Sequence, residues 1–128
     1  MHKLTSVLTL MVLTIGAVLA ADIIDITADK LQSRIEKKDA AIVLLDVRTA
    51  EEFAQGHVPG AKNIPHDQLA ERVSELLADK DKEVVLYCRS GRRAGIAAET
   101  LQAKGFEKLL HLEGDMQKWS AENRPVEK

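Results

Sequence analysis

Cys88, the only cysteine of the chain, is followed at once by Arg89, Ser90, Gly91, Arg92 and Arg93. The thiolate is the nucleophilic form of cysteine, and nearby cations or a helix N-terminus favour it. A thiolate so placed can attack a sulfane sulfur, expel an oxyanion such as sulfite, and hold the sulfur as Cys–S–S⁻. Arginines at a helix start stand where the helix dipole disfavours positive charge, so an anion is expected in front of them. One or two of Arg89, Arg92 and Arg93 are expected to face a pocket, and at least one to serve a surface or ion-pair role. The bland reading of Cys88 is a small buried apolar side chain at a strand end, and that of the arginines is a solvated helix start. Three arginines in the next five residues weigh against both.

The elements that must carry this run can be read on either side of it. Glu83-Val84-Val85-Leu86-Tyr87 is the clearest strand and runs directly into Cys88. A loop and then a helix follow, with Ile96, Ala97 and Leu101 at helical spacing and Gly105 as its stop. Open α/β sheets place ligands at the carboxyl ends of strands, where loop N–H groups and a helix N-terminus converge on an anion. Gly91 would let that loop curl with φ > 0.

The rest of the chain alternates in the same way. Ile23–Ile26 is a short strand candidate, and Thr27 can cap a helix over Ala28–Lys38. Ile42-Val43-Leu44-Leu45 is an apolar run too short for a typical helix and reads as a strand buried on both faces, ending in Asp46. Thr49 can cap a short helix through Glu51, Glu52 and Phe53, both acids lying where the helix N-terminus favours negative charge. Residues 55–65 are irregular around the turn signal Val58-Pro59-Gly60. Leu69, Val73, Leu76 and Leu77 predict a helix over His66–Asp79. Leu109–Leu112 is a last strand, followed by Gly114 and a helix over Met116–Glu122. Strands alternating with helices predict a small α/β domain with a parallel sheet and helices on both faces.

At 128 residues, 45% hydrophobic and 30% charged, the chain suits one globular domain. A net charge of −2, with both signs mixed along the chain, argues against a nucleic-acid partner. Residues 1–20 differ from the rest: Lys3 is followed by an uncharged stretch, Leu4–Ala21. That stretch is barely long enough for a hydrocarbon core of about 30 Å, and Thr5, Ser6, Thr9, Thr14 and Gly16 dilute it. Val18-Leu19-Ala20 offers small residues at −3 and −1 of a cut after Ala20. The reading is a signal peptide over 1–20, a mature domain over 21–128, a periplasmic location, and no stable membrane association once the leader is gone. Cysteines in an oxidising compartment usually pair, so a single one suggests an intermolecular disulfide or a reactive group.

Three segments resemble rhodanese domains. Leu45-Asp46-Val47-Arg48, with Glu51-Glu52-Phe53 and Gly56-His57-Val58-Pro59-Gly60-Ala61-Lys62-Asn63-Ile64-Pro65, resembles their first signature. Tyr87-Cys88-Arg89-Ser90-Gly91-Arg92-Arg93 is similar to their active-site loop. Leu112-Glu113-Gly114-Asp115-Met116-Gln117-Lys118-Trp119 is similar to their closing segment, where that family more often has a second Gly at the position of Asp115. The resemblance runs from about Asp22 to the C-terminus and, with the leader, extends to periplasmic single-domain thiosulfate sulfurtransferases. It implies a three-layer α/β fold with a parallel sheet of about five strands, a persulfide intermediate on Cys88, and no metal or organic cofactor. Residues 89–93 would bind substrate. Asp46, Arg48 and His57 would be supporting groups, Asp46 tying down neighbouring backbone or Arg48, and His57 a hydrogen-bonding loop residue. Trp119 is read as core. The implied reaction moves sulfur from thiosulfate or a similar small anionic donor to cyanide or a thiol, with a thioredoxin-like protein among the acceptors left open.

Two other functions compete. A phosphatase of the Cys-x₅-Arg type needs an Arg to clamp phosphate oxygens, but the position is Ala94, Arg93 falls one residue early, and Tyr87 rather than His precedes the cysteine. A redox or sulfur-carrier module that docks a partner through Cys88 without turnover is the other alternative. A disulfide oxidoreductase would be supported by a resolving cysteine, and the chain has none.

Overall fold

A computed structural model of the chain describes residues 23–128; the leader expected over 1–20 lies outside the described residues. Five strands, β1 (Ile24–Ile26), β2 (Ile42–Asp46), β3 (Lys62–Asn63), β4 (Glu83–Tyr87) and β5 (Leu109–Leu112), form one parallel sheet in the order β1-β5-β4-β2-β3. β4 is therefore central, and alternation along it divides two cores. Val84, Leu86 and Cys88 face a layer with Leu69, Leu76, Ala97, Ala98 and Leu101. Val85 and Tyr87 face a second layer with Leu31, Leu112, Met116 and Trp119. The apolar run of β2 divides likewise, Leu45 joining the first layer and Leu44 the second, as a strand covered on both sides must.

The helices are α1 (Ala28–Glu36), α2 (Ala50–Gln55), α3 (Leu69–Arg72), α4 (Arg92–Ala103) and α5 (Asp115–Ala121). Leu31 of α1 and Trp119 of α5 cover one face of the sheet, while Leu69 of α3 and Leu101 of α4 cover the other. Thr27 caps α1 by accepting the Lys30 N–H, as its position predicts. Thr49 and Glu52 form a reciprocal capping box on α2. The helix expected over His66–Asp79 is instead a single α turn followed by a 3₁₀ segment, Val73–Asp79. No side chain caps α3, and three residues per turn bring Val73, Leu76 and Asp79 onto one side. Leu76 thereby enters the core while Asp79 reaches Lys62 and Lys82 at 3.2 and 3.3 Å. Among the described residues no helix is long and apolar enough to cross a membrane.

Candidate active site

Cys88 stands one residue past the end of central β4, and its residue surface is only 1% exposed. The chain then turns through Arg89, Ser90 and Gly91 into α4, which starts at Arg92. Gly91 has φ +115°, a conformation L side chains rarely adopt, and the turn aims its N–H at Cys88 Sγ, 3.0 Å away. A Cβ at this position would lie 3.3 Å from Asp115 Oδ2, so both the backbone and the space favour glycine. The opposite wall is fastened by α5: the Met116 N–H donates to the Cys88 carbonyl at 3.0 Å and the Gln117 N–H to that of Arg89 at 3.1 Å. The sulfur is thus held between a strand end and two helix starts.

The three loop arginines separate in role. Arg93 binds Glu52 through Nη1 at 2.6 Å and Nη2 at 3.0 Å, a two-pronged pair of the geometry guanidinium favours. That pair holds the Glu52 carboxyl down at about 2, with burial opposing and the Thr49 N–H adding to it. Hydrogen bonding to Glu52 likewise raises Arg93, against burial, and its proximity to Cys88 contributes in the same direction. Arg89 and Arg92 are exposed and make no ion pair among the described residues. Arg89 lines a cleft of about 490 Å³ together with Arg48, Glu52, Met116 and Gln117. Two cations are therefore available to an incoming anion, while the third supports the loop.

The supporting groups lie beside the loop, at the end of β2. Asp46 is fully buried and accepts the Arg48 N–H at 2.9 Å, Arg48 Nε at 3.0 Å and Arg48 Nη2 at 2.6 Å. Arg48 Nη2 also donates to the Gly56 carbonyl at 2.8 Å, and Asn63 Nδ2 donates to the carbonyls of Asp46 and Arg48. His57 lies against Phe53, its ring stacked at 3.6 Å between centroids and its Nδ1 2.9 Å from the Phe53 carbonyl. Trp119 is core, its Nε1 donating to the Pro125 carbonyl at 2.8 Å.

Residues 27–122 match the model of the rhodanese-like domain. The chain belongs to this family. Its rhodanese-like region is 34% identical over 102 residues to a protein of Allochromatium vinosum named sulfurtransferase, covering 80% of this chain and 92% of that one. It is 42% identical over 62 residues to the thiosulfate sulfurtransferase PspE of Escherichia coli, covering 48% and 60%. The chain spans 53% and 59% of the length of two Bacillus subtilis relatives, at 32% and 45% identity. Among solved structures, a rhodanese-related protein of Thermoplasma volcanium superposes with TM-score 0.70 at 32% identity, covering 81% of this chain and 97% of that one. The family and the names of these relatives support sulfur transfer in general.

One pair of residues near the sulfur has no counterpart in the sequence reading. Asp115 Oδ1 accepts the Cys88 N–H at 3.1 Å and lies 3.8 Å from Sγ, and His111 Nε2 is 2.9 Å from the same oxygen. The one signal available beforehand is the carboxylate itself, in a place where the rhodanese pattern more often has glycine.

Proposed function

We propose that the protein is a sulfurtransferase that carries sulfur from thiosulfate, or a similar small anionic donor, to a thiol or cyanide through a persulfide on Cys88. The observation carrying this reading is the Gly91 N–H directed at Sγ from 3.0 Å, in a loop whose Arg89 and Arg92 have no carboxylate partner among the described residues. The Cys88 thiolate attacks the outer sulfur of thiosulfate, the S–S bond breaks, and sulfite departs with the electron pair. The Gly91 amide stabilises negative charge on Sγ, and the free arginines attract the dianion. An acceptor thiolate or cyanide then attacks the terminal sulfur, and the Cys88 thiolate leaves. The apolar leader supports export, with the reaction taking place in the periplasm.

The test is to incubate residues 21–128 with thiosulfate alone and weigh the intact protein, then to add cyanide and follow thiocyanate. Wild type is expected to gain one sulfur and turn over, and Cys88→Ser to do neither. Equal turnover in both would refute the proposal. Loading without turnover to any small acceptor would replace it with a sulfur carrier that hands its cargo to a partner protein.

A further inference from the structure

The carboxylate of Asp115 takes no part in the reaction just described, yet it is buried against the nucleophile. Asp115 is 2% exposed and adopts φ +53°, in the left-handed region, which glycine enters at less cost than any side chain. The protein accepts this strain, and with it a buried negative charge whose Oδ1 stands 3.8 Å from the sulfur. His111 closes on Asp115 Oδ1 from β5, and its Nδ1 lies 3.3 Å from Asp25 Oδ1. That second contact follows from the sheet, because Asp25 and His111 are register partners in β1 and β5. The result is a continuous chain from Cys88 through Asp115 and His111 to Asp25.

We infer that Asp115 and His111 together set the charge tolerated at the Cys88 sulfur, the Asp115 carboxylate opposing a thiolate and protonated His111 offsetting that carboxylate. Like charges this close disfavour one another, and an imidazolium bonded to the carboxylate removes most of the conflict. The groups around His111 fit this division. Asp115 comes from the start of α5, Asp25 from β1 and Cys88 from the end of β4, whereas α4 and its cap approach with uncharged Gly91, Ala94, Gly95 and Ala98. Of the α4 cations, Arg93 interacts with Cys88 but is already bound to Glu52, and Arg92 is exposed. Hydrogen bonding to Asp115 raises the His111 pKa, burial opposes it, and Asp25 adds to the rise. His111 therefore keeps its proton to higher pH than an isolated imidazole, and when it loses it Asp115 is left uncompensated beside the sulfur. Asp115 is in these terms a positioning residue, and His111 acts through it.

The inference deepens the reading of Cys88 as a nucleophile, but its test reads the thiol itself and not sulfur transfer. The full chain is treated with iodoacetamide, a neutral alkylator, and Cys88 modification is followed by intact mass at neutral pH. Asp115→Asn should react about tenfold faster than the parent, the effect of removing one nearby charge. His111→Gln should react several-fold slower, and the double variant should match Asp115→Asn. Loosening of the site would accelerate both single variants, and closer packing of the loop over the thiol would slow both, so opposite signs isolate charge. An Asp115→Asn protein no faster than the parent, or a His111→Gln effect that survives in the Asp115→Asn background, overturns the inference. Should Asp115→Asn not fold, the parent decides: its alkylation curve must flatten over the pH range in which NMR shows His111 losing its proton, and a curve without that break overturns the inference. A chain that transfers no sulfur would still give these rates, so the two readings fail separately.

Discussion

Glu52→Gln separates the charge of the Glu52–Arg93 pair from its shape. The glutamine oxygen can still accept from Thr49, which keeps the capping box of α2, but Arg93 loses its counter-ion. Glu52 is held at about 2 against an ordinary 4.5. Its contribution to stability is therefore complete above about pH 4.5 and is lost as pH falls through about 2. That depression corresponds to a ceiling of about 3 kcal/mol. The Glu52 side chain is 31% exposed, and solvent screening reduces the expected contribution to about 1 kcal/mol. Urea unfolding of parent and variant should differ by about this amount at pH 7, and the two curves should approach one another as pH is lowered toward 2. The same substitution releases a third cation into the loop, so the KM for thiosulfate should fall several-fold. An equal stability difference at pH 7 and pH 2 would refute the electrostatic account of the pair and leave only a packing role.

Asp46→Asn leaves the Arg48 guanidinium buried without its counter-ion, and should cost about 3–5 kcal/mol in denaturant unfolding. Gly91→Ala must adopt φ +115° with its Cβ 3.3 Å from Asp115 Oδ2; a loss above about 1 kcal/mol in thermal unfolding is expected, with slower sulfur loading as the N–H leaves Sγ. Arg89→Ala removes an exposed cation without an ion pair among the described residues, so stability should stay within about 0.5 kcal/mol of the parent. Its KM for thiosulfate should rise about tenfold while that for an uncharged persulfide donor changes little, as steady-state kinetics with the two donors would show.

What the sequence makes legible is what local pattern dictates. Ile42–Leu45 is an unbroken apolar run because both faces of β2 are covered, and a run with that property can be recognised without knowing its neighbours. Cys88 is placed by the strand that precedes it and the helix that follows. Glu52 shows the boundary. Its favourable place at the start of α2 is readable, but its binding to Arg93, 41 residues away, depends on how α2 packs beside α4. The segment 66–79 carries apolar spacings compatible with either helix type, and the demand that Asp79 reach Lys62 comes from the tertiary fold. Asp115 is the sharpest case, since a single departure from a glycine pattern does not say that the side chain turns inward onto Cys88.

Burial of Cys88 also bears on its fate among other thiols. A disulfide requires two sulfurs about 2 Å apart with their Cα atoms within about 7 Å. Two copies of this fold cannot meet that requirement while each Cys88 is 1% exposed behind its own loop, so the lone thiol is sheltered from pairing with its twin even where oxidants are plentiful. On the proposed chemistry, the captured sulfur extends about 2 Å beyond Sγ. The resting thiol is thus kept from pairing with a second copy, and on that chemistry the cargo atom, one bond farther along, becomes the part of the site that an acceptor can meet.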